Sequence, residues 1–110
     1  MTTIIRSAPH RNNLPNRRAS ESFKFEVSGL TYVATYSRFG DGRVGEIFVS
    51  NHKSGSGADC NARDAAIACS IALQFGADLE TLRKALGRDS HGQATGPLGR
   101  ALDIIAQGEQ

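Results

Sequence analysis

Large aromatic side chains are scarce in this sequence, which has no tryptophan and only 6% aromatic residues. A chain of 110 residues is long enough for one compact domain, and its core must therefore be built mainly from aliphatic side chains and alanine. No apolar run approaches the roughly 20 residues that a transmembrane helix needs, and the N-terminus lacks the hydrophobic segment of a signal peptide. We therefore expect a cytoplasmic protein without a membrane partner.

Cysteine and histidine are equally sparse. Cys60 and Cys69 are too few for a disulfide scaffold, and they lie about 180° apart on one predicted helix, so they cannot share a metal ion or pair with each other. His10, His52 and His91 lie in separate loops, without the spacing of helical metal ligands. The sequence predicts two buried structural thiols and no metal site, no cofactor and no catalytic residue.

Positive charge is concentrated at the N-terminus. Residues 1–18 hold four arginines and no acidic residue, which leaves nine Lys and Arg against eleven Asp and Glu in the rest of the chain. Two of the three prolines also lie there, so residues 1–20 are predicted to form an extended basic arm. Such an arm can follow nucleic-acid phosphates, keep the protein soluble or fold back onto acidic groups. Residues 21–107 are predicted to form the single domain and residues 108–110 a tail.

The hydrophobic pattern changes character halfway along the chain. Alternation with a period of two, interrupted by glycine turns, predicts strands in the first half, and a helical period follows in the second. The predicted fold is α+β, a three-stranded antiparallel β-meander followed by one long helix and two shorter ones. The predicted strands and helices cover residues 22–27, 30–39, 44–50, 58–75, 79–86 and 97–106.

The long helix is predicted to cover one face of the sheet. The residues expected in the core between them are Phe23, Phe25, Ile47, Val49, Ile71 and Leu73. Tyr32, Tyr36 and Phe48 are expected on the opposite face, whose apolar character predicts a homodimer or a larger homo-oligomer. Asp64 falls on the apolar side of the helix, so we expect a buried structural carboxylate paired with an arginine or with backbone amides.

The junction between the third strand and the long helix reads Asn51-His52-Lys53-Ser54-Gly55-Ser56-Gly57-Ala58-Asp59. A helix that begins there presents free backbone amides and the positive end of its dipole, which favour a phosphate or carboxylate. The residues predicted to hold the phosphate are Lys53, Ser54, Gly55, Ser56 and Gly57. The residues predicted to close over it are Arg17, Arg18, Arg88 and Arg100. The alternative is a flexible connector capped by a serine, since the segment is neither a Walker motif nor a dinucleotide fingerprint.

Four segments carry a family resemblance: Gly45-Glu46-Ile47-Phe48-Val49-Ser50, Lys53-Ser54-Gly55-Ser56, Ala72-Leu73-Gln74-Phe75-Gly76 and residues 78–86. They resemble the TSCPD domain, which is found at the C-terminal end of adenosylcobalamin-dependent ribonucleotide reductases and as small stand-alone proteins. The resemblance covers residues 22–106. Residues 88–103 lack the cysteines of the reductase domains, so the resemblance implies no metal or thiol-relay role and favours the small stand-alone form.

These observations predict a noncatalytic module that binds a nucleotide or another phosphate-bearing ligand and that is related to ribonucleotide reductase by family. A sharper variant is an oligomeric sponge that sequesters a nucleotide signal, as small phage-encoded proteins do. Two other classes stay open, a protein-interaction or regulatory subunit and a nucleic-acid binder that uses residues 1–18. A chain of this length cannot hold the radical site, cofactor and substrate barrel of a reductase, so we expect no enzymatic activity of its own.

Overall fold

The computed structural model describes residues 10–108, so the first nine residues of the predicted arm and the last two of the predicted tail lie outside the described part. The predicted α+β fold is confirmed: three antiparallel strands in the order β1-β2-β3 precede three helices. The elements are β1 (Ser20–Val27), β2 (Leu30–Arg38), β3 (Val44–Asn51), α1 (Gly57–Gln74), α2 (Leu79–Ala85) and α3 (Pro97–Gly108). Among residues 10–108, no helix is long and apolar enough to cross a membrane.

The strand register decides which side chains face the core. Tyr36 pairs with Ile47, and Ala34 pairs with Val49, so these residues share one face of the sheet. Tyr32 and Tyr36 are therefore buried in the core, and their predicted exposure on the opposite face is wrong. Phe48 does lie on that opposite face, where half of its surface is exposed. Because strand residues alternate between the two faces, Phe48 shares this face with Glu46 and Ser50 of β3 and with its cross-strand partner Thr35.

Helix α1 begins and ends close to the predicted residues because both ends carry capping groups. The Ser56 hydroxyl accepts a hydrogen bond from the amide of Asp59, which makes Ser56 the N-cap. At the other end Gly76 has a φ of 102°, its amide donates to Leu73 and the amide of Ala77 donates to Ala72. This pair of bonds is the Schellman motif, which glycine permits because it adopts positive φ without strain.

Helix α1 lies chiefly against β3, and three of its polar side chains, Asp59, Ser70 and Gln74, are buried. The Ser70 hydroxyl accepts from the Ile47 amide (2.9 Å) and donates to the Ile47 carbonyl (2.8 Å), and the Gln74 amide group donates to the Gly45 carbonyl (3.0 Å). These bonds satisfy the edge of β3, which has no further strand beside it among residues 10–108. Polar residues are therefore required on the inner face of this helix.

This orientation corrects two predictions about α1. Ile71 is 39% exposed and so lies outside the core, and Asp64 is also exposed, so its predicted burial is wrong. The buried carboxylate of the helix is Asp59, whose relative exposure is 2%. The prediction failed because it assigned the side with more apolar residues to the core, whereas β3 needs hydrogen-bonding partners along its edge.

Helix α3 completes the core. Its buried residues Leu98, Ala101, Leu102 and Ile105 belong to the same cluster as the inward-facing strand residues. Asp103 on α3 accepts from Arg83 of α2 (2.9 Å) and, through both oxygens, from Arg88 in the following loop (2.8 Å each). The two guanidinium groups hold the pKa of Asp103 below its ordinary value, Arg88 having the larger effect. This network ties α2 and the loop to α3.

The described part of the N-terminal arm is docked near the C-terminal end of α1. The amide of Asn12 donates to the Gln74 carbonyl (2.8 Å), and the Arg11 guanidinium donates to the Gln74 side chain. Arg18 forms a two-bond ion pair with the buried carboxylate of Glu46 on β3 (2.9 and 2.8 Å). Because removal of Arg18 would leave Glu46 buried without its charge partner, this contact is part of the folded structure.

Candidate anion-binding site at the start of helix α1

A carboxylate of the protein itself fills the interior of the junction loop. Asp59 accepts hydrogen bonds from the amide of Asn51 (2.9 Å), the amide of Gly55 (3.0 Å) and the guanidinium of Arg63 (2.9 Å). These donors lower the pKa of Asp59 to about 2, the Gly55 amide contributing most, followed by Arg63 and Asn51. The loop therefore folds around an internal anion, whose charge Arg63 balances.

Several predicted binding groups are consequently used within the loop. The amide of Gly55 donates a hydrogen bond to Asp59. The Ser56 hydroxyl donates to the Lys53 carbonyl (2.7 Å) and also accepts from the Asp59 amide as the helix cap. Gly55 has a φ of 78°, a conformation that favours glycine, so its role is to turn the chain toward Asp59. Gly55 and Ser56 thus have structural roles in this geometry.

Other groups at the junction stay free. Within residues 10–108, the amides of Ser54, Gly57 and Ala58 have no protein acceptor, and the Lys53 ammonium has no carboxylate partner. Gly57 and Ala58 are the first two residues of an 18-residue helix, so their amides carry the positive end of its dipole. Lys53 and Ser54 are exposed beside them. The junction thus has two helix amides, one loop amide and one ammonium group without an acceptor among residues 10–108.

A shallow groove adjoins this helix end. It has a volume of about 370 Å³ and runs between the first half of α1 and the start of α3. Its lining includes Ala58, Asn61, Ala62 and Ala65 from α1, and Pro97 and Leu98 from α3. The volume lies within the usual range for small-molecule sites, and most of the lining surface is apolar. Ala58 contributes both to the groove and to the free amides.

The predicted arginines do not gather at the junction. Arg18 pairs with Glu46 near the other half of α1, and the thirteen residue steps from Gly57 to Ser70 span roughly 20 Å along the helix. Arg88 is held by Asp103, while Arg100 donates to the carbonyl of Ala94 (3.3 Å). Arg17 is exposed. In residues 10–108 no recorded contact joins any of these four side chains to Lys53–Gly57.

Sequence reasoning missed the two features that define this site. The spacing of Ser56 and Asp59 is the capping-box pattern, with an acidic residue three positions after the N-cap, and it could have identified Asp59 as the loop's internal anion. The groove had no local signal, because it forms from α1 and the distant Pro97-Leu98 segment.

The two thiols differ in environment. Cys69 is buried, and burial raises the pKa of its thiol to about 11. Cys60 is exposed in the first turns of α1, so the prediction of two buried thiols is wrong for this residue. Among residues 10–108 there is no group of three or more His, Cys, Asp or Glu side chains arranged to hold a metal ion.

Fold and site together define a small α+β domain whose strand-to-helix junction has spare hydrogen-bond donors. A family model, the TSCPD domain, matches residues 6–108. The chain therefore belongs to the TSCPD domain family.

The similar curated proteins are far longer than this chain. The Vitamin B12-dependent ribonucleotide reductase of Agrobacterium fabrum is 43% identical over 70 residues, which cover 64% of this chain and 6% of that protein. The enzymes of the same name from Bradyrhizobium diazoefficiens and Rhodopirellula baltica are 36% and 35% identical, over 64% and 67% of this chain and over 6% and 7% of their own lengths. The chain thus spans less than a tenth of these relatives. No solved structure matches it at a significant level.

Proposed function

We propose that this chain is a noncatalytic module that binds a nucleotide or another small phosphate-bearing molecule. The observation that carries the proposal is the adjacency of unpaired donors and an apolar groove at Ala58, whose amide has no acceptor among residues 10–108 and which is one of the residues that line the groove. A phosphate would accept from the amides of Gly57 and Ala58 and attract Lys53, while a ring would lie between α1 and Pro97. The same chemistry would serve a sponge that sequesters a nucleotide signal.

The family gives independent support. The relatives are named as reductases of ribonucleotides, so a nucleotide is a ligand class that already occurs in proteins carrying this domain. This chain corresponds to only a small part of those enzymes, and the proposal extends to binding and not to reduction.

The negative charge of Asp59 lies close to the proposed phosphate position, and its effect must be weighed. Its carboxylate is already satisfied by two amides and by the Arg63 guanidinium. The Asp59–Arg63 pair has no net charge, so Lys53 and the helix dipole remain the uncompensated positive contributions. We infer that binding is moderate and depends on Lys53.

The proposal is tested by native mass spectrometry of the protein purified from cells, followed by calorimetric titration with nucleoside mono-, di- and triphosphates and cyclic dinucleotides. We expect Lys53→Ala to weaken the tightest of these ligands by about 1.5–3 kcal/mol, because it removes a charge-assisted contact. Arg17→Ala removes an equal charge from another exposed site and should leave the affinity unchanged. Equal affinities of parent and Lys53→Ala would refute the proposal.

A protein-interaction or regulatory subunit is the second candidate, and a specific observation favours it. Phe48, Ile67, Ile71 and Phe75 are 50%, 47%, 39% and 45% exposed, and the last three recur every four residues along α1 and its C-cap. Exposed apolar groups at helical spacing commonly bind a partner protein. Ile67→Lys would abolish capture of such a partner without affecting nucleotide affinity.

Nucleic-acid binding through the arm has less support. Arg11 and Arg18 already donate to Gln74 and Glu46, which leaves Arg17 as the arginine without a hydrogen-bond partner among residues 10–18. A nucleic-acid complex would show affinity that falls steeply with salt, and Arg17→Ala would reduce that dependence.

A further inference from the structure

The two edges of the sheet differ in how their backbone groups are satisfied. On β3, the amide and the carbonyl of Ile47 both bond to the Ser70 hydroxyl, and the amide of Asn51 bonds to Asp59. Helix α1 thereby closes this edge. The opposite edge is β1, which pairs with β2 alone among residues 10–108.

The register identifies the groups that β1 leaves unpaired. Because Ile47 directs its amide and carbonyl away from β2, its cross-strand neighbour Tyr36 directs its own toward Glu21 of β1. Odd-numbered residues of β1 therefore bond to β2, and even-numbered ones direct their backbone groups outward. The outward-facing residues are Ser20, Ser22, Lys24 and Glu26. Their side chains are all exposed.

This edge has few of the features that usually prevent strand pairing. β1 contains no proline, and its eight residues pair with β2 without a bulge. Lys24 is a charged edge residue that would ordinarily discourage association, but Glu26 follows it at a spacing of two. In an antiparallel pair of identical strands, residues two apart lie opposite each other when the residue between them is on the two-fold axis.

We propose that β1 pairs antiparallel with β1 of a second copy about a two-fold axis at Phe25, which joins the two sheets into one of six strands. Lys24 of each copy then lies opposite Glu26 of the other, in positions where both direct their backbone groups outward. The pairing makes four backbone hydrogen bonds and two ion pairs.

Apolar contacts favour the same register. Phe23 is only half-buried, at the outer strand of the core face, and it would lie opposite Val27 of the second copy. An axis at Lys24 would bring two like charges together, while an axis at Phe23 would set Glu21 against Phe25 and give Lys24 and Glu26 only serine neighbours. The axis at Phe25 alone combines opposite charges on one face with apolar pairs on the other.

The test uses charge reversal at the two edge residues. Lys24→Glu and Glu26→Lys should each raise the dimer dissociation constant by about tenfold or more, because each replaces two attractions with two repulsions. The double variant, Lys24→Glu with Glu26→Lys, should recover the parent's constant to within about threefold. Lys84→Glu makes the same change of net charge as Lys24→Glu, at an exposed position of α2, and should not affect dimerisation. Sedimentation velocity measures all four, and circular dichroism checks that each variant is folded.

Hydrogen exchange gives a second, independent readout. The amides of Lys24 and Glu26 should become protected as the protein concentration rises, while those of Phe23 and Phe25, already bonded to β2, should be protected at every concentration. A protein that stays monomeric at several hundred micromolar would overturn the proposal. So would a dimer that both single reversals leave unchanged, since another register or surface would then be responsible.

Discussion

The two ends of helix α1 use their hydrogen-bonding groups very differently. At the C-terminal end, the Gln74 carbonyl accepts from Asn12, the Gln74 side chain contacts both Gly45 and Arg11, and Gly76 and Ala77 bond to the last turn. At the N-terminal end, Asp59 accepts hydrogen bonds from the amides of Asn51 and Gly55. The amides of Gly57 and Ala58 have no acceptor among residues 10–108.

The C-terminal end therefore uses its groups in the fold, whereas the N-terminal end has the unpaired donors on which the proposed ligand site depends. Free amides at a helix start bond to water or to an anion. Replacing the water by an anion costs little conformational entropy, because the donors are already oriented. The variants below test each end separately.

The largest effect is expected for Asp59→Asn, which acts on the internal anion. An asparagine cannot accept from Asn51, Gly55 and Arg63 with the strength of a carboxylate, so we expect the melting temperature to fall by roughly 10 °C. Asp64→Asn makes the same change on the exposed side of the helix and should have almost no effect. Equal melting temperatures for the two variants would contradict the structural role of Asp59.

Ser70→Ala tests the half of the helix that closes the β3 edge. It removes the partner of both backbone groups of Ile47, which are buried, and we expect a loss of about 1–3 kcal/mol in the free energy of unfolding. Urea denaturation measures this loss. Ser54→Ala, on the exposed loop, is the matched control and should be neutral.

Acid should weaken the junction in a defined direction. The folded state lowers the pKa of Asp59 to about 2, so this group's contribution to stability is complete above its ordinary value and is lost as the pH falls toward 2. We expect the melting temperature of the parent to drop between pH 4 and pH 2 more steeply than that of Asp59→Asn. Parallel curves would show that Asp59 does not carry this dependence.

The smallest expected effect is a difference in thiol reactivity between the two cysteines of α1. Cys60 near the N-terminal end is exposed, while Cys69 is buried beneath the sheet with its pKa raised to about 11. A thiol reagent at neutral pH should therefore modify one cysteine in the native protein and two in urea, because only a thiolate reacts. Two reactive thiols in the native protein would show that the second half of α1 opens readily.

The strand order, the helices and both glycine-rich turns could be predicted from the sequence because period, caps and turn residues are local signals. The side of α1 that faces the protein interior could not be predicted, because the orientation of the helix depends on the unpaired edge of β3. Asp59, Ser70 and Gln74 face inward to meet that edge, and Ile67 and Ile71 are left outside. Amphipathic analysis assumes that helices bury apolar residues against a sheet face, and it fails where a helix covers a strand edge.

The candidate site was predicted only in part for a related reason. The junction is a local pattern, and its amides were anticipated. Arg88 and Arg100 were assigned to it by charge alone, but Asp103 and the Ala94 carbonyl already hold them. The groove depends on contact between α1 and Pro97, which no local pattern encodes.

The central claim, that free amides at the start of α1 bind a ligand phosphate, is tested most directly by Gly57→Pro compared with Gly57→Ala. Ser56 has the extended conformation that a following proline requires, and a Cβ at Gly57 meets no atom within 4 Å, so both variants should fold. Proline removes the amide and alanine keeps it. Calorimetric titration with the tightest nucleotide of the panel should show parent-like affinity for Gly57→Ala and a loss of about tenfold for Gly57→Pro. Equal affinity of the two folded variants would contradict the account.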